Sequence, residues 1–157
     1  MAFLIGTTVA IGHGLFDPIN RLELGASLMA ATLDREALKW QVAKVVHTGP
    51  APAPDGAMAL ISLSLPRGQS LLVSPDQPLY IGHGVCVPAE RALLGGAPLV
   101  DRDGRRVEVL EAKPMAMNGQ FFEVIVSDLS PPKTVDGHLI LAGGVVCGDA
   151  AISRHLM

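Results

Sequence analysis

A phrase written twice constrains this chain more than any other feature. Ile11-Gly12-His13-Gly14 recurs seventy residues later as Ile81-Gly82-His83-Gly84. At the same offset Pro18 matches Pro88, Arg21 matches Arg91, and Leu24-Gly25 matches Leu94-Gly95. That makes eight identities in the fifteen aligned positions from Ile11 to Gly25, where average composition gives roughly one. A third, fainter copy runs from Gly137 to Gly144. Each copy reads as strand, tight glycine turn, strand, then a short segment closing at glycine. Repetition on this scale is a statement about architecture. It predicts a pseudo-symmetric β fold built by duplication rather than a common turn used twice.

The bulk of the sequence agrees. The 157 residues suffice for one domain with its own core. With 49% hydrophobic and 17% charged residues the chain is not disordered. Seventeen glycines and twelve prolines leave few stretches long enough for a helix. The net charge of −3 and the lack of a basic stripe argue against a nucleic-acid partner. No apolar run reaches membrane-spanning length, and no signal peptide is visible, so cytoplasmic location is the default expectation. Cys86 and Cys147, the only cysteines, have no metal-ligand spacing and read as reduced thiols, Cys147 as an apolar strand residue.

Along the chain, Ser27–Leu33 and Lys39–His47 read as arms of a hairpin around Asp34-Arg35-Glu36, with period-two alternation from Trp40 onward. His47 reads as solvent-facing, and Thr48–Gly56 as a surface loop. Met58–Leu65, Leu71–Val73, Val107–Leu110 and Phe121–Val126 read as strands. Asp103-Gly104 is a hairpin signal. His138–Ala142 and Gly144–Cys147 form a last hairpin, and only Ala150–Met157 is left as helix or disorder. The expectation is an all-β chain of about a dozen short strands. It is a single unit over 1–157, with a core over about 2–149 and a tail over 150–157.

Several segments together carry a resemblance. Ala2-Phe3-Leu4-Ile5-Gly6-Thr7-Thr8-Val9 is similar to the opening block of Hint domains, the self-processing fold shared by Hedgehog proteins and inteins. Pro18–Gly25 resembles the segment after it. Leu72-Val73-Ser74-Pro75-Asp76-Gln77-Pro78-Leu79 resembles the second block, usually Thr-x-x-His-Pro. Val87-Pro88-Ala89 with Leu94-Gly95, then Phe121–Val126 and His138–Asp149, resemble the later blocks in the correct order. The likeness spans nearly the whole chain and is of the bacterial intein-like kind. It implies a pseudo-two-fold horseshoe of strands, which the duplication fits.

The resemblance also implies a chemistry. A first-residue thiol or hydroxyl attacks the preceding carbonyl, a second-block His polarises that peptide, and a penultimate His with a terminal Asn cleaves the downstream bond. A third His and an acidic residue assist. This chain departs at most of these places. The nucleophile position matches Ala2, preceded only by Met1. The second-block His matches Gln77, with Ser74 keeping a hydroxyl. The penultimate His matches Gly148, and the terminal Asn matches Asp149. His138 remains at the third His position and Glu123 at the acidic one. So many departures favour a naturally degenerate site over a Cys replaced by engineering at position 2.

The implied function is therefore an autoprocessing domain without N-terminal thiol chemistry. At most it cleaves slowly at Asp149-Ala150, acting on its own flanking polypeptide and needing no metal or organic cofactor. The alternative is a non-catalytic structural module whose old cleft, lined by Ala2, Ser74, Gln77, His138 and Asp149, is empty or contacts a protein partner.

Overall fold

The computed structural model describes residues 2–51, 58–95 and 98–157. Fifteen strands and one α-helix occur among them. In chain order the strands are β1 (Phe3–Leu4), β2 (Thr8–Gly12), β3 (Leu15–Pro18), β4 (Ser27–Asp34), β5 (Ala37–Pro50), β6 (Met58–Ser64), β7 (Ser70–Val73) and β8 (Pro78–Tyr80). They continue with β9 (Cys86–Pro88), β10 (Leu99–Val100), β11 (Arg106–Val107), β12 (Glu111–Met117), β13 (Phe121–Val126), β14 (Leu139–Ala142) and β15 (Val145–Gly148). Helix α1 (Ala150–His155) closes the series. The expected all-β architecture is what forms.

Thirteen strands make one curled antiparallel sheet in the order β12-β6-β7-β1-β13-β5-β4-β14-β15-β8-β9, with β2 on β14 and β3 on β2. β5 joins its halves. Its first part pairs with β4 from Ala37 to Lys44, and its second pairs with β13 from Val45 to Pro50. The loop expected from Thr48 therefore begins later, because Thr48, Gly49 and Pro50 continue the ladder. Residues 52–57 of that loop lie outside the described residues. The β4–β5 turn sits at Arg35-Glu36, both at positive φ (50° and 70°), the two-residue geometry whose twist matches the strands it joins.

β4 shows why the sheet is buried on both faces here. Leu28 and Ala30 enter the main core with Val9, Leu79 and Ile140, while Met29 and Ala31 enter a second cluster with Tyr80, Leu139 and Val146. A strand covered on both sides needs no polar alternation, and Leu28-Met29-Ala30-Ala31 has none.

The duplication is visible strand by strand. β2–β3 pairs Thr8 with Pro18, Val9 with Asp17 and Ala10 with Phe16. Seventy residues on, β8–β9 pairs Pro78 with Pro88, Leu79 with Val87 and Tyr80 with Cys86. Each hairpin runs into a short 3₁₀ helix, Ile19–Arg21 or Ala89–Leu94, entered through an extended proline. Ile19 donates to the Thr7 carbonyl and Ala89 to the Gln77 carbonyl, again seventy apart.

One further expectation needs correction, and one strand lies outside the expectations. The strand expected over Val107–Leu110 is only Arg106–Val107, paired with β10 around the Asp103-Gly104 turn. The edge strand β12 is unmarked in the sequence because Pro114 interrupts it; at an edge a proline lacks no partner.

Candidate functional site

Both ends of the chain meet β13. β1 pairs Phe3 with Phe122, and Ala150 and Ala151 of α1 pack on Ile125. This convergence brings the residues singled out above into one region, where they divide into four small constellations.

At the first, Ala2 is buried against Leu60 and Phe121. Its N–H donates to Ser74 Oγ at 2.9 Å, and the Ser74 N–H donates back to the Ala2 carbonyl at 3.0 Å. Ser74 stands at the start of a turn closed by Gln77 N–H to Ser74 O at 3.1 Å, with Pro75 setting the first corner. Its hydroxyl donates to Asp76 Oδ1 at 2.7 Å. The Ala2 methyl can attack nothing. The Ser74 hydroxyl orients the Ala2 peptide.

At the second, Gln77 is almost fully buried and its Nε2 donates to the carbonyls of Pro78 at 3.0 Å and Gly148 at 2.8 Å. An amide with two protons spent on backbone carbonyls is a strut between β8 and the end of β15. It carries no proton in and out. Gly148 itself is closed off. A Cβ there would stand 2.8 Å from Pro78 Cβ and 2.9 Å from Ile152 Cδ1. No imidazole fits at that position while α1 is docked.

At the third, His138 Nδ1 lies 2.8 Å from Asp149 Oδ2, and the Asp149 N–H donates to the His138 carbonyl at 2.9 Å. The same carboxylate caps α1. Oδ2 also accepts from Val126 N–H at 3.0 Å, and Oδ1 accepts from Ala151 and Ile152 N–H at 3.0 and 3.4 Å. Aspartate before a helix is a strong N-cap because its oxygens satisfy the orphan N–H groups of the first turn. Burial disfavours the His138 cation, but the hydrogen bond and charge of Asp149, helped by Asp128, outweigh it and hold the pKa above the ordinary value of 6.5.

At the fourth, Glu123 does not join His138. Its Oε1 accepts from His47 Nε2 and from Arg154 Nη2, each at 2.8 Å, while Oε2 is buried without a partner among the described residues. His47 is therefore not a free surface residue. It lies within β5, where Ile125 is its partner across the ladder, and its ring is only partly exposed. Arg154 ties the last turn of α1 to β13. Neither partner is signalled in the sequence, since β13 places Glu123 opposite Gly49 and the α1 register is open.

The centre is closed. Ala2, Ser74, Gln77, Glu123, His138 and Asp149 are each at least nine-tenths buried. The reading of an empty cleft does not describe them, because Ile152 fills the space beside Gly148. The boundary expected after Asp149 also separates residues that pack together: Ala150, Ala151 and Ile152 are all buried.

Elsewhere, burial, with a smaller push from the Asp149 charge, raises the Cys86 thiol pKa to about 12, and burial raises that of Cys147 still further. Neither supplies a thiolate near neutral pH. His83 meets Glu36 at 3.3 Å on the surface. Among the described residues no group of three or more His, Cys, Asp or Glu could hold a metal ion, and no helix is long and apolar enough to cross a membrane.

No family profile and no curated protein sequence matches the chain. Solved structures do. The bacterial intein-like domain from Clostridium thermocellum matches with a TM-score of 0.76 at 19% identity, over 94% of this chain and 98% of that one. The DnaB intein from Synechocystis sp. PCC 6803 matches with a TM-score of 0.70 at 13% identity, over 94% and 97%. The gp41-1 intein matches with a TM-score of 0.66 at 13% identity, over 95% and 99%. The fold is thus that of Hint, intein-like domains, end to end.

Proposed function

We propose that this chain is a Hint-fold domain of the self-processing type in which both processing reactions have been lost, leaving a structural module that holds its own C-terminal segment folded. The observation that carries this reading is the position of α1. The segment after Asp149, where a processing domain would release its product, is a capped helix buried on the domain itself.

At each position where the chemistry needs a reacting group, the residue present serves structure instead. Ala2 has no nucleophilic atom, and Ser74 only orients its peptide. Gln77 donates to backbone carbonyls where a proton carrier would be needed. At Gly148 the space for a penultimate side chain is occupied by Ile152 and Pro78. Both Asp149 oxygens are engaged by hydrogen-bond partners.

A second reading, slow cleavage at Asp149-Ala150, draws on the 2.8 Å His138–Asp149 contact. In it, an Asp149 carboxylate oxygen attacks the Asp149 carbonyl carbon. The Ala150 amine leaves with a proton from His138, and water opens the resulting cyclic anhydride to regenerate the carboxyl groups. That attack requires the carboxylate to leave the helix cap, so the cap opposes it.

Intact mass spectrometry of the purified chain over several days at neutral pH separates the two. The expected result is an unchanged mass. Accumulation of a species lacking Ala150–Met157 would overturn the structural reading in favour of the slow cleavage.

A further inference from the structure

The tip of the β10–β11 hairpin stands over the face of the sheet that carries β3, and a cleft of about 540 Å³ opens between them. Phe16 and Leu141 supply apolar lining, and Arg67, Arg102 and Arg106 supply three exposed guanidinium groups. None of these three makes an ion pair or a side-chain hydrogen bond among the described residues. Arg67 projects from a turn held in the left-handed region (φ 64°). Phe16 is 53% exposed on a strand that, among the described residues, has a neighbour on one side only.

The cleft thus sets an exposed aromatic ring and an apolar wall beside three cationic groups. Three carboxylates share the rim. Asp101 is turned inward, accepting from the N–H groups of Asp103 and Arg105. Asp103 and Glu108 remain outward and would repel a run of consecutive acids. The occupant that fits is an extended peptide alternating acidic and apolar side chains. One set would reach the arginines while the other lies on Phe16 and Leu141, since side chains of a strand alternate in direction.

We propose that this cleft binds such an acidic, apolar-alternating peptide segment of a protein partner. None of its lining residues belongs to the His138–Asp149 centre, so the proposal stands apart from the reading of that centre. Trp40, the one tryptophan, reports on the site: its Nε1 donates to the Arg102 carbonyl at 2.8 Å.

The test uses the full chain and a fluorescein-labelled peptide of four Glu-Val repeats, followed by anisotropy, with an unlabelled peptide for Trp40 emission. Saturable binding at low ionic strength is expected, weakening at about 0.5 M salt as screening demands. Trp40 emission should shift over the same titration. The double charge reversal Arg67→Glu and Arg106→Glu should weaken binding by about tenfold or more, two exposed pairs being replaced by repulsions. Phe16→Ser should weaken it while leaving the salt dependence intact. All three positions are exposed, and an unchanged melting temperature verifies folding. Should the double variant unfold, the two single reversals take its place. The proposal is overturned if no saturable binding occurs, if the reversed variants bind as the parent does, or if a Lys-Val peptide binds equally well. It is also overturned if an oligothymidylate binds more tightly through the same arginines.

Discussion

The two halves of the internal repeat share their strand pairing but not the turn between the strands, where Gly82 and His83 take positive φ and Gly12 and His13 do not, and they differ in what surrounds them. In the first, Thr7 stands where the second has Gln77. Thr7 Oγ1 turns back to the Leu4 carbonyl at 2.7 Å, a local bond within three residues. Gln77 instead crosses to Gly148, seventy-one residues away. At equivalent positions Leu15 and Val85 are both exposed and Ala10 and Tyr80 both buried; the hairpins differ at Phe16, which is exposed where Cys86 is half-buried, and at Asp17, which is half-buried where Val87 is buried. One template thus supports two uses. Both copies send their first strand into the core, and the second also braces the end of β15 through Gln77. The first leaves Phe16 bare where the arginine-lined cleft forms. The pairing pattern is common to both and is set by prolines, glycines and strand alternation. The difference in use lies in long-range contacts made by single side chains.

That contrast can be broken most strongly at Gly148, against which the second repeat packs. Gly148→Ala places a methyl within 3 Å of both Pro78 Cβ and Ile152 Cδ1, and overpacking of this kind costs about 1–3 kcal/mol. Because Pro78 belongs to a rigid ring, relief should come from α1. Urea unfolding should show the loss, and amide exchange should show Ala151 and Ile152 unprotected ahead of the sheet. A variant as stable as the parent, with α1 still protected, would mean the centre is not closed as described.

The next effect compares the equivalent positions directly. Gln77→Leu removes both donors and leaves the buried Gly148 carbonyl without its side-chain partner, which costs about 1–3 kcal/mol. Thr7→Val removes one local bond at a half-buried site and should cost about 0.5–1.5 kcal/mol. Denaturant midpoints of the two variants rank them. Equal losses would mean that the second copy is no more tied to the centre than the first.

Much of this was legible in the sequence because it is local. The 70-residue offset, the proline before each 3₁₀ helix and the hairpin at Asp103-Gly104 all depend on residues close in the chain. The ordered blocks also placed Ser74, His138 and Asp149 in the region where they are found. What the sequence could not show is partnership. Glu123 stands on the strand expected for it, yet it meets His47 and Arg154, which no spacing relates to it. Asp149 reads in the sequence as a reacting group, but its role is decided by the segment on its C-terminal side. Ala150-Ala151-Ile152 is short and uncharged, and only its burial in the completed sheet makes it a helix in need of a cap.

The smallest effect concerns the charge on His138. Its pKa is raised in the folded state above the unfolded value of about 6.5 by the Asp149 contact, which prevails over burial. A group whose folded pKa is raised binds its proton more tightly when folded. Its contribution is therefore complete below the unfolded pKa and lost as pH rises through the folded one. Unfolding free energy measured by urea from pH 6 to pH 9 should accordingly fall more steeply for the parent than for His138→Gln, which keeps a polar side chain but cannot titrate. The other four histidines are present in both proteins and cancel in the difference. Identical slopes would mean that the Asp149 carboxylate is held by its backbone donors alone. In that case its tie to His138 would do no more than position the ring, and the cap on α1 would be independent of pH across this range.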